Sequence, residues 1–209
     1  MTGVVFAPDV DFPSESDSRE FSTEADHVVR LHGGTRIPFD NEQPNLGHRA
    51  DDVESALEHI AVGSLDWVAF CCHGWGNGIQ AGFDRRGYKG AHMPDALAAR
   101  IAAVGKPGIV LPVPLYSCST AELHPMGFAA ALSLALASRG CPHRLFAHTT
   151  AGHTTRNPFV REYPGGDWLI KPHGEHWGRW YMRLHDPHDD LRLRYPFLTR
   201  DDLIAELSR

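Results

Sequence analysis

Two residues in this chain have the type and spacing for nucleophilic catalysis. Cys118 lies in Leu115-Tyr116-Ser117-Cys118-Ser119-Thr120-Ala121, and His73 lies in Phe70-Cys71-Cys72-His73-Gly74-Trp75-Gly76. A free thiol with a pKa near ~8.5 is only slightly ionised at neutral pH. An imidazole beside it takes the proton or pairs with the thiolate. Backbone N–H groups then hold the oxyanion that forms when the sulfur attacks a carbonyl. The small residues around Cys118 offer such donors, Ser119 among them, and Gly74 offers another from the histidine side.

Each of the two residues follows an apolar run. Leu65 to Cys72 is broken only by Asp66, and Ile109 to Tyr116 precedes Ser117. Parallel strands covered on both faces lose the alternation of a half-exposed strand, so such runs read as buried strands. Pro112 and Pro114 count against the second run, because proline inside a central strand removes a ladder donor. Between the runs, Pro94 to Val104 is Ala-rich, ends at Gly105 and reads as a crossover helix. Two adjacent parallel strands would then carry His73 and Cys118 at neighbouring carboxyl ends, where open α/β sheets bind ligands.

The rest of the first 150 residues fits that frame. Gly3 to Val10 and Thr35 to Phe39 read as strands, and Arg144 to Thr149 as another. A helix capped by Ser22 or Thr23 runs to about Leu31 and stops at Gly33-Gly34. Asp51 to Ile60 is apolar at Val53, Ala56, Leu57 and Ile60, which is helical spacing, and Gly127 to Ser138 is a strongly apolar helix. Gly74, Gly76 and Gly78 read as a tight loop. Strands alternating with helices mean a three-layer α/β/α sandwich with a mostly parallel central sheet. Residues 151–209, rich in Pro, Gly, His, Trp and Tyr, read as an irregular or small β extension packed on the same domain, with a final helix from Thr199 to Leu207.

Strand-His-Gly, a helix, then strand-Cys-small-small resembles the motif pattern of the caspase-like (clan CD) cysteine peptidases. The stretch from Tyr116 to Ala121 looks most like the separase and CHAT versions, and the resemblance covers roughly residues 1–150. It implies a His73–Cys118 dyad that cleaves a protein or peptide substrate. Several members of that group place an acidic residue at the end of the first strand to line the S1 pocket. Asp9 and Asp11 fall there, and such a role would select a basic P1 residue. Thr150 and His153, in a hydroxyl-rich stretch after a strand, are candidate walls of the substrate cleft. The chain lacks the Gln-Ala-Cys-Arg-Gly of caspases proper.

Composition narrows the alternatives. The chain has 209 residues, 42% hydrophobic and 22% charged, as expected of one globular domain. A net charge of −6 argues against a nucleic-acid partner. No segment reaches the ~18 apolar residues of a membrane helix. The N-terminus lacks the basic and apolar regions of a signal peptide, so a cytosolic protein with four free thiols is expected. Cys72 should point into a helix layer, because successive strand residues face opposite sides. Fourteen histidines raise the question of metal, with His148, His153, His173, His176, His185 and His188 in the second half. Neither His-Glu-x-x-His nor Cys-x-x-Cys occurs, and no metal or cofactor is implied. Two further readings stand beside the peptidase: a non-catalytic scaffold or sensor of the same fold, and a metal-dependent hydrolase built on the C-terminal histidines.

Overall fold

A computed structural model describes residues 2–8, 20–39, 48–79, 93–123, 126–150 and 160–163. The strands are β1 (Gly3–Pro8), β2 (Thr35–Phe39), β3 (Trp67–Cys71), β4 (Gly74–Trp75), β5 (Gly78–Ile79), β6 (Leu111–Tyr116), β7 (His143–His148) and β8 (Val160–Tyr163). The helices are α1 (Glu20–His32), α2 (His48–His59), α3 (Met93–Val104) and α4 (Phe128–Ser138).

Six strands form one sheet in the order β2-β1-β3-β6-β7-β8, and β4 and β5 form a separate hairpin. All neighbours in the large sheet run parallel except β7 and β8. The chain moves outward from β1 to β2 through α1, then returns past β1 to β3 and continues the other way. Right-handed crossovers in opposite directions put their helices on opposite faces. The core divides accordingly. Phe21, Ala25 and Val28 of α1 pack with Val5, Ala7, Trp67, Ala69, Cys71, Tyr116 and Phe146. Residues of α2, α3 and α4 pack with Val4, Phe6, Val68, Phe70, Val113, Leu115 and Leu145 on the other face. Odd and even strand residues thus serve different helix layers, as the two-residue period of a strand requires.

The expected mostly parallel α/β architecture is therefore present. The direction of winding reverses between β1 and β3, which makes their carboxyl ends the switch point of the sheet. Two local expectations differ. α1 begins at Glu20, ahead of Ser22 and Thr23; Ser22 is buried in its first turn and does not stand outside it as a cap. The glycine-rich segment after His73 is a hairpin, with Gly76 and Asn77 as its two-residue turn. In the segment read as an irregular or small β extension, Val160–Tyr163 forms β8 and adds an antiparallel edge strand to the main sheet beside β7.

The prolines of β6 have a specific accommodation. Leu111 N–H donates to the Pro142 carbonyl at 2.8 Å, on the β7 side. By alternation Val113 and Leu115 point their N–H groups the same way, and positions 112 and 114 face β3. The β3–β6 ladder pairs only Phe70 with Leu115 and Cys71 with Tyr116, beyond both prolines. The donors that proline lacks are those that the β3 side does not use.

Segments 151–159 and 164–209 lie outside the described residues, and with them the final helix expected from Thr199. Among the described residues no helix is long and apolar enough to cross a membrane.

Candidate active site

β3 and β6 converge on the site with a fixed offset. Phe70 pairs with Leu115 and Cys71 with Tyr116. The pairing continues past the last strand residue: Cys72 N–H donates to the Tyr116 carbonyl at 3.3 Å, and Cys72 Sγ lies 3.4 Å from Ser117 Oγ. His73 and Cys118 are the next residues along the two chain segments. Cys72 is sealed in the α2–α4 layer, as expected from alternation. Cys71 and Tyr116 belong to the opposite, α1 layer. His73 lies on that same α1 side, in contact with Phe21 of α1: the ring centroids are 4.8 Å apart and the rings nearly perpendicular, at 78°.

All four cysteines are free thiols, and they differ in access. Cys71 and Cys72 have no exposed surface, whereas Cys118 is half-buried. Burial, with help from the nearby Glu24 carboxylate, pushes the Cys71 thiol well above its ordinary range. Cys141 is also half-buried, and burial raises its thiol. His73 is half-buried.

The turn that presents Cys118 is clamped on every side. Ser119 N–H donates to the Thr150 carbonyl at 3.0 Å, and Ala121 N–H to the His148 carbonyl at 2.9 Å, both at the end of β7. Thr120 Oγ1 donates to the Ser117 carbonyl at 3.1 Å. At the start of α4, Phe128 N–H donates to the Gly76 carbonyl at 2.8 Å and Ala129 N–H to the Thr120 carbonyl at 3.1 Å. The hairpin, the cysteine turn and α4 are thereby tied together. Ser119 adopts φ 54°, the left-handed region that non-glycine residues rarely occupy. It is the only non-glycine residue with positive φ among those described. Strain of this kind, next to a half-buried thiol, marks a position that the surroundings hold in place.

Gly74 fits against that turn with no room for a side chain. A Cβ there would lie 2.6 Å from Ser117 Cβ and 2.8 Å from both the Cys118 carbonyl oxygen and Thr120 Cγ2. Histidine end and cysteine turn are in direct main-chain contact through this residue.

Of the residues expected at the site, His73 and Gly74 follow β3, and Cys118 and Ser119 lie in the turn after β6 that packs on Gly74. The Ser119 N–H is committed to Thr150, so the oxyanion role expected of it requires that bond to be released. Thr150 reaches the site through its carbonyl, on the far side of the cysteine turn. Asp9, Asp11 and His153 lie outside the described residues, as do His173, His176, His185 and His188. His148 is buried at the end of β7. Among the described residues no three His, Cys, Asp or Glu side chains converge on a common point for a metal. Two contributors carried no signal in the sequence. Phe21 reads as an ordinary core position of α1, and the part of Thr120 that matters is a hydroxyl folded back on its own turn.

The sequence matches no protein-family model and no curated protein.

Proposed function

We propose that the protein is a cysteine peptidase of caspase-like type, with Cys118 as nucleophile and His73 as general base. The observation that supports this reading most is the β3–β6 register, which runs through the Cys72–Ser117 contact to the residues immediately before His73 and Cys118. The layered, mostly parallel sheet is compatible with the fold that the reading requires. A half-buried thiol on a rigid turn also supports it, since a nucleophile needs access and fixed geometry together.

In this scheme the His73 imidazole takes the Cys118 proton and the thiolate attacks the carbonyl carbon of a peptide bond. The displaced electron pair rests on the carbonyl oxygen, and main-chain N–H groups around Gly74 and Cys118 receive it. The tetrahedral species collapses to a thioester as the amine leaves with the proton from His73. A water deprotonated by His73 then hydrolyses the thioester, releasing a carboxylate and restoring the thiol.

The test uses the full chain and a degenerate peptide library read by mass spectrometry. Cleavage is expected from the wild type and is expected to vanish in both Cys118→Ala and His73→Ala. Cleavage that persists in Cys118→Ala would overturn the reading, and so would a wild type that cleaves nothing in the library. A basic P1 preference would bring Asp9 or Asp11 into the S1 pocket.

A further inference from the structure

We infer that Glu24 of α1 is a positioning residue for His73: its carboxylate stands on the α1 side of the strand end and steadies the charged imidazole that forms when Cys118 gives up its proton. This rests on the dyad reading and adds an acidic member to it.

α1 returns the chain from the carboxyl end of β1 to the start of β2, so it runs against the strands and its first turns lie at their carboxyl ends. Phe21 shows the level, because its ring meets the His73 ring at 4.8 Å between centroids. Phe21, Ala25 and Val28 are the stripe that α1 lays on the sheet. Glu24 stands three residues after Phe21 and four before Val28, which puts it on the same side of the helix. It is half-buried there, whereas Asp26 of the same helix is exposed and pairs with Arg36 of β2 at 3.0 Å. Helical side chains lean toward the helix N-terminus, and in α1 that direction is toward the level of His73. The carboxylate is also near β3. It helps to raise the sealed Cys71 thiol, which precedes His73 by about 7 Å of strand. Neighbours on two elements thus bracket Glu24, Phe21 at the level of His73 and Cys71 just below it. At this level the ionisable strand residues among those described are Cys71, Tyr116 and His148, and all three are sealed from solvent.

A carboxylate in that place has a defined effect. Transfer of the Cys118 proton makes an imidazolium, and a negative charge beside it favours the thiolate–imidazolium pair over the neutral pair. At high pH the thiolate forms without an imidazolium, and the carboxylate then gives it no support. The signature of Glu24 is therefore a gain in Cys118 reactivity confined to neutral pH.

The readout is the second-order rate of iodoacetamide alkylation at Cys118 in the full chain, followed from pH 5 to 10 and mapped by mass spectrometry. His73→Ala is the reference: if it leaves the wild-type profile unchanged, the dyad reading itself fails. If it alters the profile, Glu24→Gln keeps the shape of the side chain, removes its charge, and should lower the pH 7 rate roughly 3- to 10-fold. That is the lower part of what an opposite charge supplies, because solvent screens a half-buried carboxylate. At pH 10 the variant should match the wild type within about twofold. Asp26→Asn removes the same charge from the same helix and should stay within about twofold throughout. An unchanged or higher pH 7 rate in Glu24→Gln overturns the inference. So does an equal loss at pH 7 and pH 10, which a purely structural role would give, or an equal loss in Asp26→Asn. Should Glu24→Gln not fold, the wild type decides: the Glu24 carboxyl carbon should show an NMR inflection shared with the His73 ring protons as the pH changes, and two independent titrations overturn it.

Discussion

Cys72 and Ser117 meet side chain to side chain across the β3–β6 boundary, Sγ to Oγ 3.4 Å, with neither exposed to solvent. Their contact lies one residue past the last ladder pair and one residue before His73 and Cys118. It continues the phase of the two strands past the point where the ladder ends. A slip of one residue would exchange the faces, sending His73 into the α2–α4 core.

The four thiols should therefore react in a definite order. Iodoacetamide on the native protein should label Cys118 first and Cys141 more slowly, because burial raises the Cys141 thiol. Cys71 and Cys72 should label only after denaturation, since both are sealed and the Cys71 thiol is pushed far up by burial. Cys72→Ala should leave Cys118 labelling largely intact at a cost of about 1 kcal/mol in stability, a small core truncation. Peptide mapping over a time course checks the order. Early labelling of Cys72 would mean that the layer assignment is wrong.

Ser119 makes a separate case on stability. Its φ of 54° costs a side chain about 1 kcal/mol or more, and a β-branched one more still. Ser119→Val should lower the unfolding free energy by about 1–2 kcal/mol. Ser119→Gly should stay within about 1 kcal/mol of wild type, because relief of strain offsets the greater freedom of glycine in the unfolded chain. Urea unfolding curves distinguish the two. Equal losses would show that strain at this position is not what matters.

Much of this arrangement was legible in the sequence, and the illegible part has physical causes. β3 and α3 announce themselves through an apolar run and a glycine stop. His-Gly after such a run places His73 at a strand end without further help. β6 was harder, because Pro112 and Pro114 suggest an interruption; only the neighbour order shows that their missing donors face a stretch with no ladder. The β4–β5 hairpin has strands of two residues, too short for any alternation to appear. Left-handed backbone at Ser119 is invisible because serine is not a residue type that signals it. Thr150 meets the cysteine turn through a carbonyl that every residue possesses, and no residue type announces such a contact.

Acid stability should depend on His143. Its Nδ1 lies 2.8 Å from the Cys141 carbonyl, so that nitrogen carries the proton. In the neutral ring Nε2 then accepts from the Ser133 hydroxyl at 2.8 Å. Burial lowers the imidazole below its ordinary 6.5, and His32 is lowered in the same direction, chiefly by burial. A histidine whose folded pKa is depressed takes up a proton more readily when unfolded. Its contribution is therefore present above pH 6.5 and lost as the pH falls below it. The urea midpoint of the wild type should drop between pH 7 and pH 5, and His143→Gln should drop less over the same interval. An identical slope in the variant would assign the acid sensitivity elsewhere.

Gly74 and Gly140 separate packing at the site from strain away from it. A Cβ on Gly74 meets Ser117 Cβ at 2.6 Å and the Cys118 carbonyl oxygen at 2.8 Å, and neither neighbour is the far end of a flexible side chain. The strand ends must move apart to admit it. Gly140 has φ 66° and nothing within 4 Å of where its Cβ would stand, so alanine there strains only its own backbone. Both Gly74→Ala and Gly140→Ala should lose stability, by about 1–3 kcal/mol for the overpacked site and about 1 kcal/mol for the strained turn. Their effects on the thiol should diverge. Displacing His73 from Cys118 by even 1 Å is worth on the order of 10²-fold in a reaction that depends on their alignment. At a temperature where both variants are fully folded, Gly74→Ala should lose the His73-dependent reactivity of Cys118, and Gly140→Ala should keep it. Retained reactivity in Gly74→Ala would mean that the main-chain contact between the two strand ends does not set the geometry of the pair.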